Sequence, residues 1–119
     1  MHEKDKIRII TRDDISIGYQ AVQAIHAAIE FCFEHSELAC AWHETSNHIA
    51  LLVVSNEEKL IKLAEKAKKN GVRVSLFAEP DIGNQITAIA MEPCPEAKKI
   101  CKKLRLMNGK TNGERNNIY

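Results

Sequence analysis

Apolar positions recur along this chain in two rhythms, one of strands and one of helices. Lys6 to Thr11, KIRIIT, is a short β-branched run ending in the charged turn Arg12-Asp13-Asp14, which predicts a buried first strand that delivers Arg12 to the top of a sheet. From Gly18 to Phe33 the spacing becomes helical. At 100° per residue, Tyr19, Val22, Ile25, Ile29, Cys32 and Phe33 share one broad arc with Ala21 and Ala28. That arc predicts a core helix over 17–34, the most deeply buried of the molecule, with Asp14 or Ser16 as its N-cap. From His35 to Asn47 no period holds, and Trp42 reads as an isolated anchor in a connector with room for no more than a short helical turn.

His48 to Val54, HIALLVV, is apolar on both faces, as in a central strand covered by helices on each side with a parallel neighbour. Ser55-Asn56-Glu57-Glu58 reads as a capping box. The helix it opens has Leu60, Ile61, Leu63, Ala64 and Ala67 as its stripe and Asn70-Gly71 as its stop. Val72 to Ala78, VRVSLFA, is a third strand that completes a βαβ unit with a right-handed crossover. The loop from Glu79 to Asn84 leads into a fourth strand, Gln85 to Met91. So short a link makes strands three and four either an antiparallel pair or separated neighbours. Cys94-Pro95-Glu96 opens a last helix with Ala97, Ile100, Cys101 and Leu104 as its stripe. The expected fold is α/β, a three-layer α-β-α sandwich around a four-stranded mixed sheet in the order β-α-β-α-β-β-α. It is one domain over 1–107, followed by a mobile polar tail over 108–119.

Composition narrows the function. With 119 residues, 45% of them hydrophobic, the chain can bury a core without staples. No apolar run approaches the roughly 20 residues of a membrane span, and the charged start MHEKDK lacks a signal peptide's apolar stretch, so the expectation is a soluble cytoplasmic protein with no membrane partner. Cys32, Cys40, Cys94 and Cys101 form no CxxC pair and read as reduced thiols. His35, Cys40, His43 and His48 match no zinc spacing, so neither metal nor cofactor is expected. A net charge of +1 gives no overall attraction to nucleic acid. Local lysine crowds, one around Lys59 to Arg73 and one around Lys98 to Arg105, either neutralise backbone phosphates or simply solvate helix faces.

Two places carry candidate chemistry. Gln23, His26 and Glu30 lie along one helix edge, and an amide, an imidazole and a carboxylate in a row either serve a site or are a packed histidine held by Glu30. The loop after the third strand sets Glu79 and Asp81 at a strand end, where open α/β sheets bind ligands.

The motifs that tie these places together are Arg12-Asp13-Asp14, Gly18 followed by AVQAIHAA from Ala21 to Ala28, HIALLVVSNEEKL, VSLF with its acidic loop, and TAIAMEP. In these the chain resembles the type 2 peptidyl-tRNA hydrolases over about residues 6–107. It is similar in particular to the peptidyl-tRNA hydrolase domain-containing side branch, because Ile17-Gly18-Tyr19 stands where the family carries a lysine-glycine-lysine run. The resemblance implies hydrolysis of the ester between a peptide and its tRNA, without metal. The alternative is a non-catalytic tRNA-binding, RNA-binding or protein-interaction module on the same fold. It implies catalytic roles for His26, for Glu79 or Asp81, and for Thr87, and substrate contacts from Arg12, Gly18, Tyr19, Gln23 and Gln85. Arg12 and Tyr19 are the available substitutes for the lysine. The expected partner is peptidyl-tRNA or tRNA and not DNA, and a homodimer is admitted as the assembly.

Overall fold

The alternation of side chains along the first strand builds the molecule outward in two directions. The computed structural model describes residues 5–107 and runs β1 (Lys6–Arg12), α1 (Ile17–Glu34), α2 (Ser36–Thr45), β2 (His48–Val54), α3 (Glu57–Lys69), β3 (Val74–Glu79), a 3-10 turn (Pro80–Ile82), β4 (Gln85–Met91), α4 (Pro95–Ile100) and β5 (Arg105–Leu106). Ile7 and Ile9 of β1 join one apolar cluster, with Ala24, Ala27 and Phe31 of α1, Ala39 of α2, and Ala88 and Ala90 of β4. Ile10 joins the other, with Leu60 and Ala64 of α3, Ala97 of α4, Leu52, Ile89 and Met91. Successive strand residues point to opposite faces, so one strand nucleates both cores.

The sheet order is β3-β4-β1-β2-β5. β1 and β2 are parallel, with Ile9 opposite Leu51, while β4 is antiparallel to β1 and to β3, with a bulge at Phe77/Ala78. Of the two alternatives for the third and fourth strands, the antiparallel pair is the one formed. β3 lies at the far edge, beyond β1 and β4, so the crossover from β2 joins strands that are not neighbours.

Several expectations need correction. The sheet has five strands, not four: the last helix stops at Ile100, and Leu106, 1% exposed, pairs with Leu52 to cover the edge of β2. Residues 36–45 form a helix and not an irregular connector. Its few apolar residues, Leu38, Ala39 and Trp42, cover only a corner of the core, and the Trp42 indole N–H donates to the carbonyl of His48 at 2.8 Å. The cap of α3 is Asn56, whose Oδ1 accepts from the Lys59 N–H at 3.0 Å, and not Ser55. α1 has Ser16 at its backbone N-cap position without a side-chain bond, and Asp14 is held by Arg12 instead. β2 is not covered on both faces, since Ile49 and Leu51 are half-buried beside an open groove along α1.

The largest correction concerns α1. Its buried residues are Gln20, Gln23, Ala24, Ala27 and Phe31, while Val22, Ile25, Ile29 and Phe33 of the apolar arc face outward. Alanines on both sides, Ala24 and Ala27 on the helix and Ala88 and Ala90 on the strand beneath it, are what permit a close approach on this face. The predicted mobile tail, 108–119, lies outside the described residues.

Candidate active site

Gln23 is the keystone of a buried polar row between α1 and the β3–β4 pair. It has no exposed surface, and neither has Thr87 on β4. The Thr87 hydroxyl donates to Gln23 Oε1 at 2.5 Å, and Gln23 Nε2 donates to Glu79 Oε1 at 2.9 Å. The second oxygen of Glu79 accepts the backbone N–H of Asp81 at 3.2 Å, which the 3-10 turn aims back at it. Gln23 is the hydrogen bond that most holds the Glu79 carboxyl below its ordinary value, followed by the Asp81 N–H, by Tyr19 and by the charge of His26. Glu79 is thus kept ionised at the end of β3, at the rim of the row.

His26 lies one turn beyond Gln23 and is exposed. Its ring rests flat on Phe77 of β3, centroids 4.3 Å apart and planes 6° from parallel. The packed-histidine reading is therefore not what forms: the imidazole is presented to solvent on an aromatic shelf, not held by Glu30. Tyr19, one turn before Gln23, faces Glu79, and partial burial together with the Glu79 charge pushes its phenol up. An exposed imidazole, an oriented carboxylate and a phenol at one mouth, backed by a buried amide and hydroxyl, can orient a water molecule and shed a proton from it.

Asp81 is exposed and reaches this group only through its backbone. Gly18 lies in the first turn of α1, where an added Cβ would meet nothing within 4 Å. Arg12 and Gln85 form a separate cluster. The guanidinium binds Asp14 through two bonds of 2.6 and 2.8 Å, donates to Gln85 Oε1 at 2.7 Å and reaches the Ile86 carbonyl at 3.3 Å. These bonds hold the Asp14 carboxyl below its usual value and tie the end of β1 to the start of β4. Arg12 is therefore committed to neighbours rather than free. Two members of the basic crowds are committed too, Lys62 to Glu58 at 2.9 Å and Arg105 to Asp13 at 2.6 Å.

Phe77 is the site residue that sequence reasoning passed over. Its signal was a large aromatic in a short strand that ends at the candidate carboxylate. Glu57, for which the sequence suggested no such role, accepts the Ile86 N–H at 2.8 Å and so helps fix the strand that carries Thr87. Among the described residues no three His, Cys, Asp or Glu side chains come together as metal ligands would.

The family model described as Peptidyl-tRNA hydrolase PTH2 matches residues 6–107. A protein named peptidyl-tRNA hydrolase from Staphylothermus marinus is 32% identical over 100 residues, covering 76% of this chain and 83% of that protein. A solved structure of a protein of unknown function from Agrobacterium tumefaciens strain C58 superposes with a TM-score of 0.62 over 87% of this chain and 97% of that one. At 15% identity it is a likeness of fold alone.

Proposed function

The chain belongs to the type 2 peptidyl-tRNA hydrolase family, and we propose that it hydrolyses the ester bond of peptidyl-tRNA, releasing free tRNA and peptide in the cytoplasm where translation runs. The observation that carries the proposal is the row Thr87–Gln23–Glu79 buried beneath an exposed His26. Water oxygen adds to the acyl carbon, the bond from that carbon to the ribose oxygen breaks, and the proton shed by water ends on the ribose oxygen. His26 takes and returns that proton. Glu79, kept ionised by Gln23 and the Asp81 N–H, favours the imidazolium that forms in between.

The lysine usual in this family is absent, and two features of this chain stand at its place. The Tyr19 hydroxyl is a neutral donor at the site mouth. The N–H groups of Ile17, Gly18 and Tyr19 precede the first bond within α1, from the Gln20 N–H to the Ser16 carbonyl, and so form a helix end that favours negative charge. The lysines of α3 and α4 other than Lys62, which have no ion pair among the described residues, supply contacts to tRNA phosphates.

The test is release of tRNA from a purified peptidyl-tRNA by the protein in the presence of a chelator. His26→Ala should retain its melting temperature and lose about 10² or more in rate. No turnover by the parent protein, or full turnover by the variant, refutes the assignment.

A further inference from the structure

β3 is the edge strand of the sheet, and α1 carries His26 to an exposed place above it. What meets the imidazole there is the ring of Phe77, its centroid 4.3 Å away and its plane 6° from parallel. We propose that Phe77 is a positioning residue of the hydrolase site, which fixes the plane of the His26 imidazole beside Glu79 and keeps both ring nitrogens available for proton transfer. The inference rests on the hydrolase reading and extends it to a residue that touches neither substrate nor the reacting atoms.

The backbone sets up the contact. Side chains alternate along a strand, so Phe77 and Glu79 stand on the same face of β3, about 6.6 Å apart. His26 follows Gln23 by three residues, about 4.5 Å along the helix axis. Gln23 meets Glu79 while His26 meets Phe77, so the helix runs against the strand and two contacts lock one register between them. Opposite Phe77 on β4 lies Ala88, buried in the same apolar layer, whose methyl leaves the ring room beneath the helix.

Stacked carbons sit about 3.5–4.0 Å apart, so centroids at 4.3 Å mean an offset stack, the favoured parallel form. A stack of this kind covers one face of the imidazole and none of its edge. Nδ1 and Nε2 exchange protons in the ring plane, and both stay in use. The edge-to-face alternative would aim the imidazole edge into the Phe77 π face and take a nitrogen out of service. At an exposed helix position an unsupported imidazole spreads over several staggered rotamers. Stacking favours one of them by about 3- to 10-fold. The arrangement so chosen keeps the His26 charge near enough to be felt at Glu79, the carboxylate that steadies the imidazolium.

Steady-state release of tRNA from peptidyl-tRNA by Phe77 variants tests the role. Phe77→Leu should lower kcat by about 3- to 10-fold with KM unchanged, and Phe77→Tyr, which keeps the ring, should restore it. Phe77→Met serves the same comparison if circular dichroism shows that leucine disturbs the fold. Combined with His26→Ala, Phe77→Leu should add no further loss, because it acts through that ring alone. Proton–carbon NMR spectra read the stack without turnover, with the His26 signals assigned by their loss in His26→Ala. Those signals should shift in Phe77→Leu and stay in place in Phe77→Tyr. A parent that hydrolyses while the folded leucine or methionine variant keeps its kcat, or an equal loss in the His26→Ala background, overturns the positioning role and leaves the hydrolase reading standing. Unmoved His26 signals in Phe77→Leu overturn it as well. Absence of turnover in the parent fails the hydrolase reading itself, and this inference with it.

Discussion

Replacing Thr87 by valine removes one hydroxyl from the buried end of the site while keeping the side chain's shape. The hydroxyl donates to Gln23 Oε1, and the same amide donates from Nε2 to Glu79. The amide cannot rotate to compensate, because a flip would set Oε1 against the Glu79 carboxylate. Thr87→Val therefore loses a hydrogen bond and strands an acceptor in a place with no exposed surface. An unsatisfied buried acceptor costs about 1–3 kcal/mol, so the expected loss is about 2 kcal/mol, or roughly 8 °C in Tm for a domain of this size. In a Gln23→Met background the hydroxyl has no acceptor to serve, and Thr87→Val should be neutral or stabilising. Urea denaturation of the four proteins gives the coupling energy, expected at about 1–3 kcal/mol. If Thr87→Val costs under about 0.5 kcal/mol, or if the two changes add within that margin, the row is not the connected network described above.

The two candidate carboxylates should separate in the peptidyl-tRNA release assay. Glu79→Gln should cost on the order of 10² in rate, and Asp81→Asn, whose contribution is a backbone N–H, only a few-fold; equal losses would refute the assignment. The Glu79 carboxyl is held below its ordinary 4.5 in the folded protein, so its contribution to stability is present above that value and is lost as pH falls through the lowered one. The parent should consequently lose stability below pH 4.5 more steeply than Glu79→Gln, and parallel acid-unfolding curves would show otherwise. Arg8 is 5% exposed, donates from its guanidinium to the Lys6 carbonyl at 3.2 Å, and has an Nε with no partner among the described residues; burial lowers its pKa. Arg8→Met keeps the packed stem and removes a poorly compensated buried charge, so thermal melts should show an equal or higher Tm. A fall worth about 2 kcal/mol or more would mean that the charge is satisfied.

Strands and local motifs were legible in the sequence because their signals are short-range. KIRIIT, HIALLVV and QITAIAM form strands over 6–12, 48–54 and 85–91, and VSLF lies in a strand that ends at Glu79. Elements defined by a distant partner were not legible. β5 is two residues long and exists only because the edge of β2 accepts it. α2 has too few apolar residues to show a period, and Phe77 gains its role only when α1 lays His26 on it. Likewise, that the Glu79 side chain and not that of Asp81 meets Gln23 is something spacing along one strand cannot say.

The inversion of α1 follows from the same distinction. A helical wheel finds a stripe but not the side on which the core lies. Turning the isoleucine row inward would drive Ile25 and Ile29 onto a sheet surfaced by Ala88 and Ala90, and would strand the partners of two buried amides. Turning it outward gives Gln20 the Ile15 carbonyl at 2.8 Å and Gln23 both Thr87 and Glu79, with Phe31 as the one large apolar anchor. Hydrogen bonds to buried groups are costly to forgo, whereas the apolar row loses only the gain it would have made on burial, and a second surface can restore that gain. In this chain the strongest apolar stripe therefore faces away from the sheet, and the weaker, amide-bearing face makes the core contact and carries the buried Gln23 row.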